Sequence, residues 1–150
     1  MTIEQANEVM DLAVKYQKEC VVGIDLCENP ARGNVEIFTP AFRRAKSEGL
    51  RITVHFAEIW ASATQLELET ILSWEPDRLG HVIRTCEEIE DTIKNRSIGL
   101  ELCLSCNVKT KMSDDGFSQH HFRKWRTTSC PIALSVRLPD RMIYEVLTSR

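Results

Sequence analysis

The sequence predicts an α/β fold in which about five parallel strands alternate with helices. Three observations predict it. Apolar runs of strand length recur along the chain, stretches of helical period separate them, and Gly, Pro or Asn marks several of the joints. No linker, low-complexity tract or short repeat interrupts this alternation.

Each element follows from its residues. Thr2 and Gln5 have capping-box spacing, and Ile3, Ala6, Val9, Met10 and Ala13 then follow a helical period, which predicts a helix from Ile3 to Lys18. Val21 to Leu26 is a nearly continuous apolar run, as suits a buried parallel strand. After a loop with Asn29, Pro30 and Gly33, Thr39 and Pro40 read as N-cap and first residue of a helix stopping at Gly49.

Arg51 to Phe56 reads as the second strand and Leu66 to Ser73 as the next helix, with Leu68, Ile71 and Leu72 inward. Asp77 to Ile83 is a strand carrying Gly80 and His81, and Cys86 to Asn95 is a helix turning Ile89 and Ile93 inward. Gly99 to Leu104 is a strand, Ser113 to Gly116 a polar loop, and Phe122 and Trp125 belong to a short helix. Pro131 to Val136 is the last strand, and Leu138, Met142, Ile143, Val146 and Leu147 predict a closing helix. A complete eight-stranded barrel takes about 250 residues. The 150 residues therefore suit either a small doubly wound domain or part of a barrel.

Bulk properties narrow the function. Hydrophobic residues are 43%, charged residues 27% and the formal net charge is −3 with the signs interspersed, which argues against a nucleic-acid surface or a polybasic membrane anchor. No apolar run is long enough to span a bilayer and no secretory signal opens the chain, so a cytoplasmic location is expected. The six cysteines are read as reduced, buried thiols. Cys103 and Cys106 form a C-x-x-C without the second pair a structural zinc site wants.

In parallel α/β folds, chemistry gathers at the C-terminal strand ends. Those ends carry Asp25, Cys27 and Glu28, then His55 and Glu58, then His81, and finally Cys103 to Asn107. A strand-end His offers a nitrogen to a metal, and a Glu three residues on can pass a proton to a substrate beside it. Equally, His55 and Glu58 read as a surface His and a helix-start Glu. His81 after Gly80 is either a histidine that orients an attacking group or one packed in a loop. Asp25, inside an apolar strand, calls for a hydrogen-bond partner and is read as supporting the site from behind. His120 and His121 read as a surface pair, and Trp60, Trp74 and Trp125 as packing residues.

Taken in order, the segments Val21 to Leu26, Ile52 to Glu58, Asp77 to His81, Leu100 to Lys109 and Gln119 to Phe122 resemble the adenosine deaminase family. The likeness runs from about Ala6 to Pro131 and is closer to the adenosine deaminase-like branch, which acts on N6-methyl-AMP. It implies a zinc-dependent hydrolase on a TIM (β/α)8 barrel, of which residues 1–135 are the central part and 136–150 a tail unlike the family. His55 is then a zinc ligand, Glu58 the proton donor to the purine ring nitrogen, and His81 the residue that orients or deprotonates the attacking water. The attack falls at C6, releases ammonia or methylamine, and makes a purine nucleotide or nucleoside the expected ligand.

The departures from the family are as informative. No H-x-H occurs in the chain; the strand that bears it in the family would precede Met1. Val136, Arg137 and Leu138 stand where the family has T-D-D, Glu28 replaces a Gly beside the substrate, and Val82 the second Gly of G-H-G. Phe56 and Ala57 replace a smaller or more polar pair. A catalytic zinc takes about three protein ligands. The sequence alone offers His55, so zinc is not expected to be retained by this chain, which is expected to be inactive alone. The other expectation is a noncatalytic partial barrel or truncated isoform, an open sheet with helices on both faces that binds a partner through its edges.

Overall fold

The computed structural model describes residues 1–27, 33–112 and 116–135. Glu28, residues 113–115, and the closing helix and tail expected over 136–150 lie outside the described residues. The order is α1 (Ile3–Tyr16), β1 (Gly23–Leu26), α2 (Thr39–Ser47), β2 (Arg51–Phe56), α3 (Gln65–Ser73), β3 (Arg78–His81), α4 (Glu87–Asn95), β4 (Gly99–Cys103), α5 (Leu104–Lys109), α6 (Phe122–Trp125) and β5 (Ile132–Ser135). Short 3-10 turns precede α2, α3 and α6.

Local chemistry accounts for the boundaries. Gln5 donates its backbone N–H to Thr2 Oγ1 at 3.3 Å, while Thr2 N–H donates to Gln5 Oε1 at 2.8 Å, so the capping box forms. Gly49 ends α2 at φ +75°, in the left-handed region. Thr39 is not the N-cap of α2: a 3-10 turn over Val35–Phe38 runs straight into that helix, and Thr39 Oγ1 accepts from Trp74 Nε1 instead. Helix α5 follows β4 with no loop; it takes Leu104 from the expected strand and covers Ser105 to Lys109, for which the sequence pattern predicts no element.

The sheet order is β1-β2-β3-β4-β5, with every pair parallel. That order rules out the doubly wound alternative, in which the strand order reverses at a switch point. Right-handed crossovers that always step the same way place the helices that connect successive strands on one side. Side-chain burial agrees. Ile52, Val54 and Phe56 of β2 form one core with Leu79, Leu100 and Leu102 and with Met10, Phe42, Ile71, Ile93 and Trp125 of the helices. On the alternate positions Arg51 is exposed and Thr53 and His55 are half-buried. The expectation of helices on both faces is therefore corrected. One face is apolar and covered, the other polar and open, as in an arc of a TIM barrel viewed from its lumen.

Two contacts tie the helical layer together. Phe42 and Trp74 stack with centroids 4.3 Å apart. Glu90, buried on α4, accepts from Thr85 Oγ1 at 2.9 Å and pairs with Lys124 of α6. Strands β1 and β5, among the described residues, each pair on one side only.

Candidate functional site

The strand register sets out the open face before any side chain is considered. Asp25 pairs with Thr53, His55 with Gly80, and Gly80 with Glu101, so these positions share that face. Gly80 leaves room beside His55: a Cβ there would meet the imidazole Cδ2 at 3.3 Å. Arg78 donates to Glu101 at 2.8 Å lower on the same face.

The chain turns sharply where β2 and β3 end. Ala57 has φ +50°, His81 +64° and Val82 +52°, left-handed values that cost energy for residues other than glycine. Val82 N–H donates to Phe56 O at 3.0 Å, and Arg84 N–H to Ala57 O at 2.9 Å, which straps the two turns together. Their effect is to bring the ends of both strands to one place. The imidazoles of His55 and His81 meet edge to face at 4.9 Å, and His81 Nε2 lies 3.6 Å from Glu58 Oε1. His55, Glu58 and His81 each offer one atom within 4.8 Å of the others.

Electrostatics separate their roles. Burial, and secondarily the nearby His81, push the His55 imidazole down to about 4. It is therefore neutral near pH 7, the form a metal requires. Asp25 is exposed, not enclosed in an apolar strand as the sequence suggested. Enough protein still surrounds it that burial, with the Glu101 charge, raises its carboxyl to about 6 against the pull of Arg78.

Asp25 and Cys27 join His55 in a second grouping of donors within 4.8 Å. Cys27, Cys20 and Cys86 are exposed, which corrects the expectation of buried thiols; Cys103, Cys106 and Cys130 are buried. Nitrogen, oxygen and sulfur donors of this kind suit zinc. His55 fits the metal as a neutral donor, and Asp25 and Cys27 offer further donor atoms within 4.8 Å of it. His81 has one nitrogen at Asn107 and the other toward Glu58.

Three residues to which the sequence gave no role in the site complete it. Asn107, with no exposed surface, lies 3.1 Å from His81 Nδ1 through Oδ1 and 3.3 Å from His120 Nε2 through Nδ2. His120 is 3% exposed and accepts the Phe122 backbone N–H at Nδ1. His121 Nε2 donates to the carbonyl of His81 at 2.6 Å, and burial, then the His120 charge, push it down to about 4. The pair read as surface histidines thus lies behind His81. A polar residue just past a strand end was the available signal for Asn107, but α5 is too short to show a helical period. Trp74 and Trp125 pack in the core, whereas Trp60 is 75% exposed with the Arg84 guanidinium 4.9 Å over its ring.

Known proteins resemble the chain over most of its length. The family model described as adenosine deaminase matches residues 1–145. The N6-mAMP deaminase of Arabidopsis thaliana is 35% identical over 133 residues, covering 89% of this chain and 36% of that protein. The crystal structure of the Arabidopsis N6-mAMP deaminase superposes with a TM-score of 0.84 at 33% identity, over 91% of this chain and 40% of that one. A structure of Arabidopsis ADAL complexed with IMP gives 0.82 at 34% identity, over 89% and 38%. The chain thus spans about two-fifths of the length of the relatives it matches. No helix among the described residues is long and apolar enough to cross a membrane.

Proposed function

Because the chain belongs to the adenosine deaminase family, we propose that it carries the acid–base side of a site for hydrolytic deamination of a purine nucleotide at C6. The reading favours N6-methyl-AMP or a related 6-aminopurine nucleotide, in line with the relatives' names and with IMP in one relative's structure. The observation that carries it is the meeting of His55, Glu58 and His81 at the ends of β2 and β3.

The roles follow from position. Glu58, on a half-buried loop at the mouth, gives its proton to the ring nitrogen next to C6, which makes that carbon electrophilic. His81, 3.6 Å from the carboxylate, aligns the attacking oxygen. His55 would hold zinc, with Asp25 and Cys27 as further donors within 4.8 Å of it. When bound, the metal would supply a water acidified to a pKa of about 7. Ammonia or methylamine then leaves from C6. Glu28, where the family has Gly, would add bulk and negative charge beside the nucleotide.

The sequence contains no H-x-H and no T-D-D, so the family's other metal donors are not supplied. Zinc is therefore held weakly and the chain by itself is catalytically silent, with residues 1–135 acting as the central part of a barrel and 136–150 as a distinct tail. The one-sided pairing of β1 and β5 favours a second reading, a noncatalytic partner-binding arc.

Zinc content and deamination of N6-methyl-AMP, measured on the purified chain and on Glu58→Gln, test this. Sub-stoichiometric zinc and no turnover are expected. Stoichiometric zinc with turnover abolished in Glu58→Gln would overturn the claim of silence.

A further inference from the structure

The hydrogen bonds behind His81 fix where its proton sits. The chain of contacts begins at the backbone. Phe122 N–H donates to His120 Nδ1 at 3.1 Å. A backbone amide can only give a proton, so Nδ1 must present a lone pair, and the neutral ring carries its proton on Nε2. That Nε2–H faces the Asn107 carboxamide, 3.3 Å away. Two N–H groups cannot satisfy each other, and Asn107 has no exposed surface through which water could intervene. The pairing is satisfied when the amide turns its oxygen to His120 and its –NH2 to His81. His81 Nδ1, 3.1 Å from the same amide, then accepts.

From this order we infer that His120, acting through Asn107, is a positioning residue that holds His81 in the tautomer with its proton on Nε2. The proton points toward Glu58 Oε1, 3.6 Å away. His81 therefore enters the site as a hydrogen-bond donor. It orients the attacking group and does not remove a proton from it at that nitrogen. His121 supports the same arrangement independently, by donating to the His81 carbonyl and holding its left-handed turn. The catalytic meaning rests on the proposed function, whereas the tautomer rests on hydrogen bonding alone.

Two-bond nitrogen–proton spectra of the imidazoles, recorded on the full chain labelled with 15N, read the tautomer directly. In the wild type, His81 and His120 should both show a bare Nδ1 and a protonated Nε2. In Asn107→Asp the carboxylate only accepts, so His81 should gain a proton on Nδ1 while His120 keeps its pattern. Wild-type His81 protonated on Nδ1 would overturn the inference. So would an unchanged His81 pattern in folded Asn107→Asp. If that variant does not fold, the wild-type spectrum decides by itself. The readout needs neither zinc nor substrate, so stoichiometric zinc with turnover would overturn the claim of silence and leave the relay standing.

Discussion

Acidifying the metal-free protein should destabilise it through two imidazoles. His55 and His121 are each pushed from 6.5 to about 4 by burial first and neighbouring histidine charge second. The native state therefore binds fewer protons than the unfolded chain between these values, and stability falls as pH drops from 6.5 toward 4. At about pH 5 the linkage amounts to about 2 kcal/mol for each imidazole. Asp25 acts the other way. Its native carboxyl titrates at about 6 against 3.8, so the folded state takes up the proton first and regains stability as pH falls. Since much of Asp25 is in water, solvent screening leaves about 0.7 kcal/mol of that. The net loss is about 3 kcal/mol, or a Tm lower by roughly 6–12 °C. Thermal melts with a chelator, at about pH 7.5 and about pH 5, measure it. His55→Gln should remove about two-thirds of the drop, since one imidazole remains and Asp25 still offsets part of it. A drop as large in His55→Gln as in the wild type would refute the reasoning.

Three further outcomes are expected. Trp74→Ala removes a ring that is 2% exposed and stacked on Phe42, and should cost about 3–5 kcal/mol in chemical denaturation. Gly23→Ala places a Cβ 2.5 Å from the Arg51 carbonyl oxygen, backbone that cannot swing aside, and should lower stability by about 1–3 kcal/mol. Leu134 is 45% exposed on edge strand β5, so the chain should self-associate with rising concentration in sedimentation velocity, and Leu134→Lys should weaken this. A protein monomeric at all concentrations, or association indifferent to that substitution, would count against edge pairing.

The strands and most helices were legible because apolar period and length signal them directly. His55, Glu58 and His81 were legible because strand ends are where such groups gather, and the family likeness gave them roles. What stayed hidden depended on contacts far apart in sequence. Asn107 and His120 meet His81 only after β3, β4 and the turn before α6 have packed. Thr39 looked like a cap because nothing local shows that Trp74 will donate to it. The open polar face was concealed for a related reason. Asp25 lies among apolar neighbours in sequence, yet it is exposed, because the core that the connecting helices cover lies on the opposite face of the sheet.

The site divides according to where its residues lie in the sheet. His55, Glu58, His81 and Asn107 belong to the central strands β2, β3 and β4 or the turns after them, and each of these strands pairs on both sides. Their backbones are fixed by ladders and by the strap that ties Phe56 and Ala57 to Val82, Ile83 and Arg84. Asp25 and Cys27 lie at the end of β1, an edge strand, and both are exposed. Donors on an edge lose more conformational entropy when they close on an ion than donors already locked by packing. On the proposed function, the proton-handling half is preorganised by the fold, while the metal-holding half has, among the described residues, one donor on a strand paired on both sides, His55. Metal affinity and acid–base geometry should then respond separately to mutation, with changes at β1 altering the first and changes at Asn107 the second.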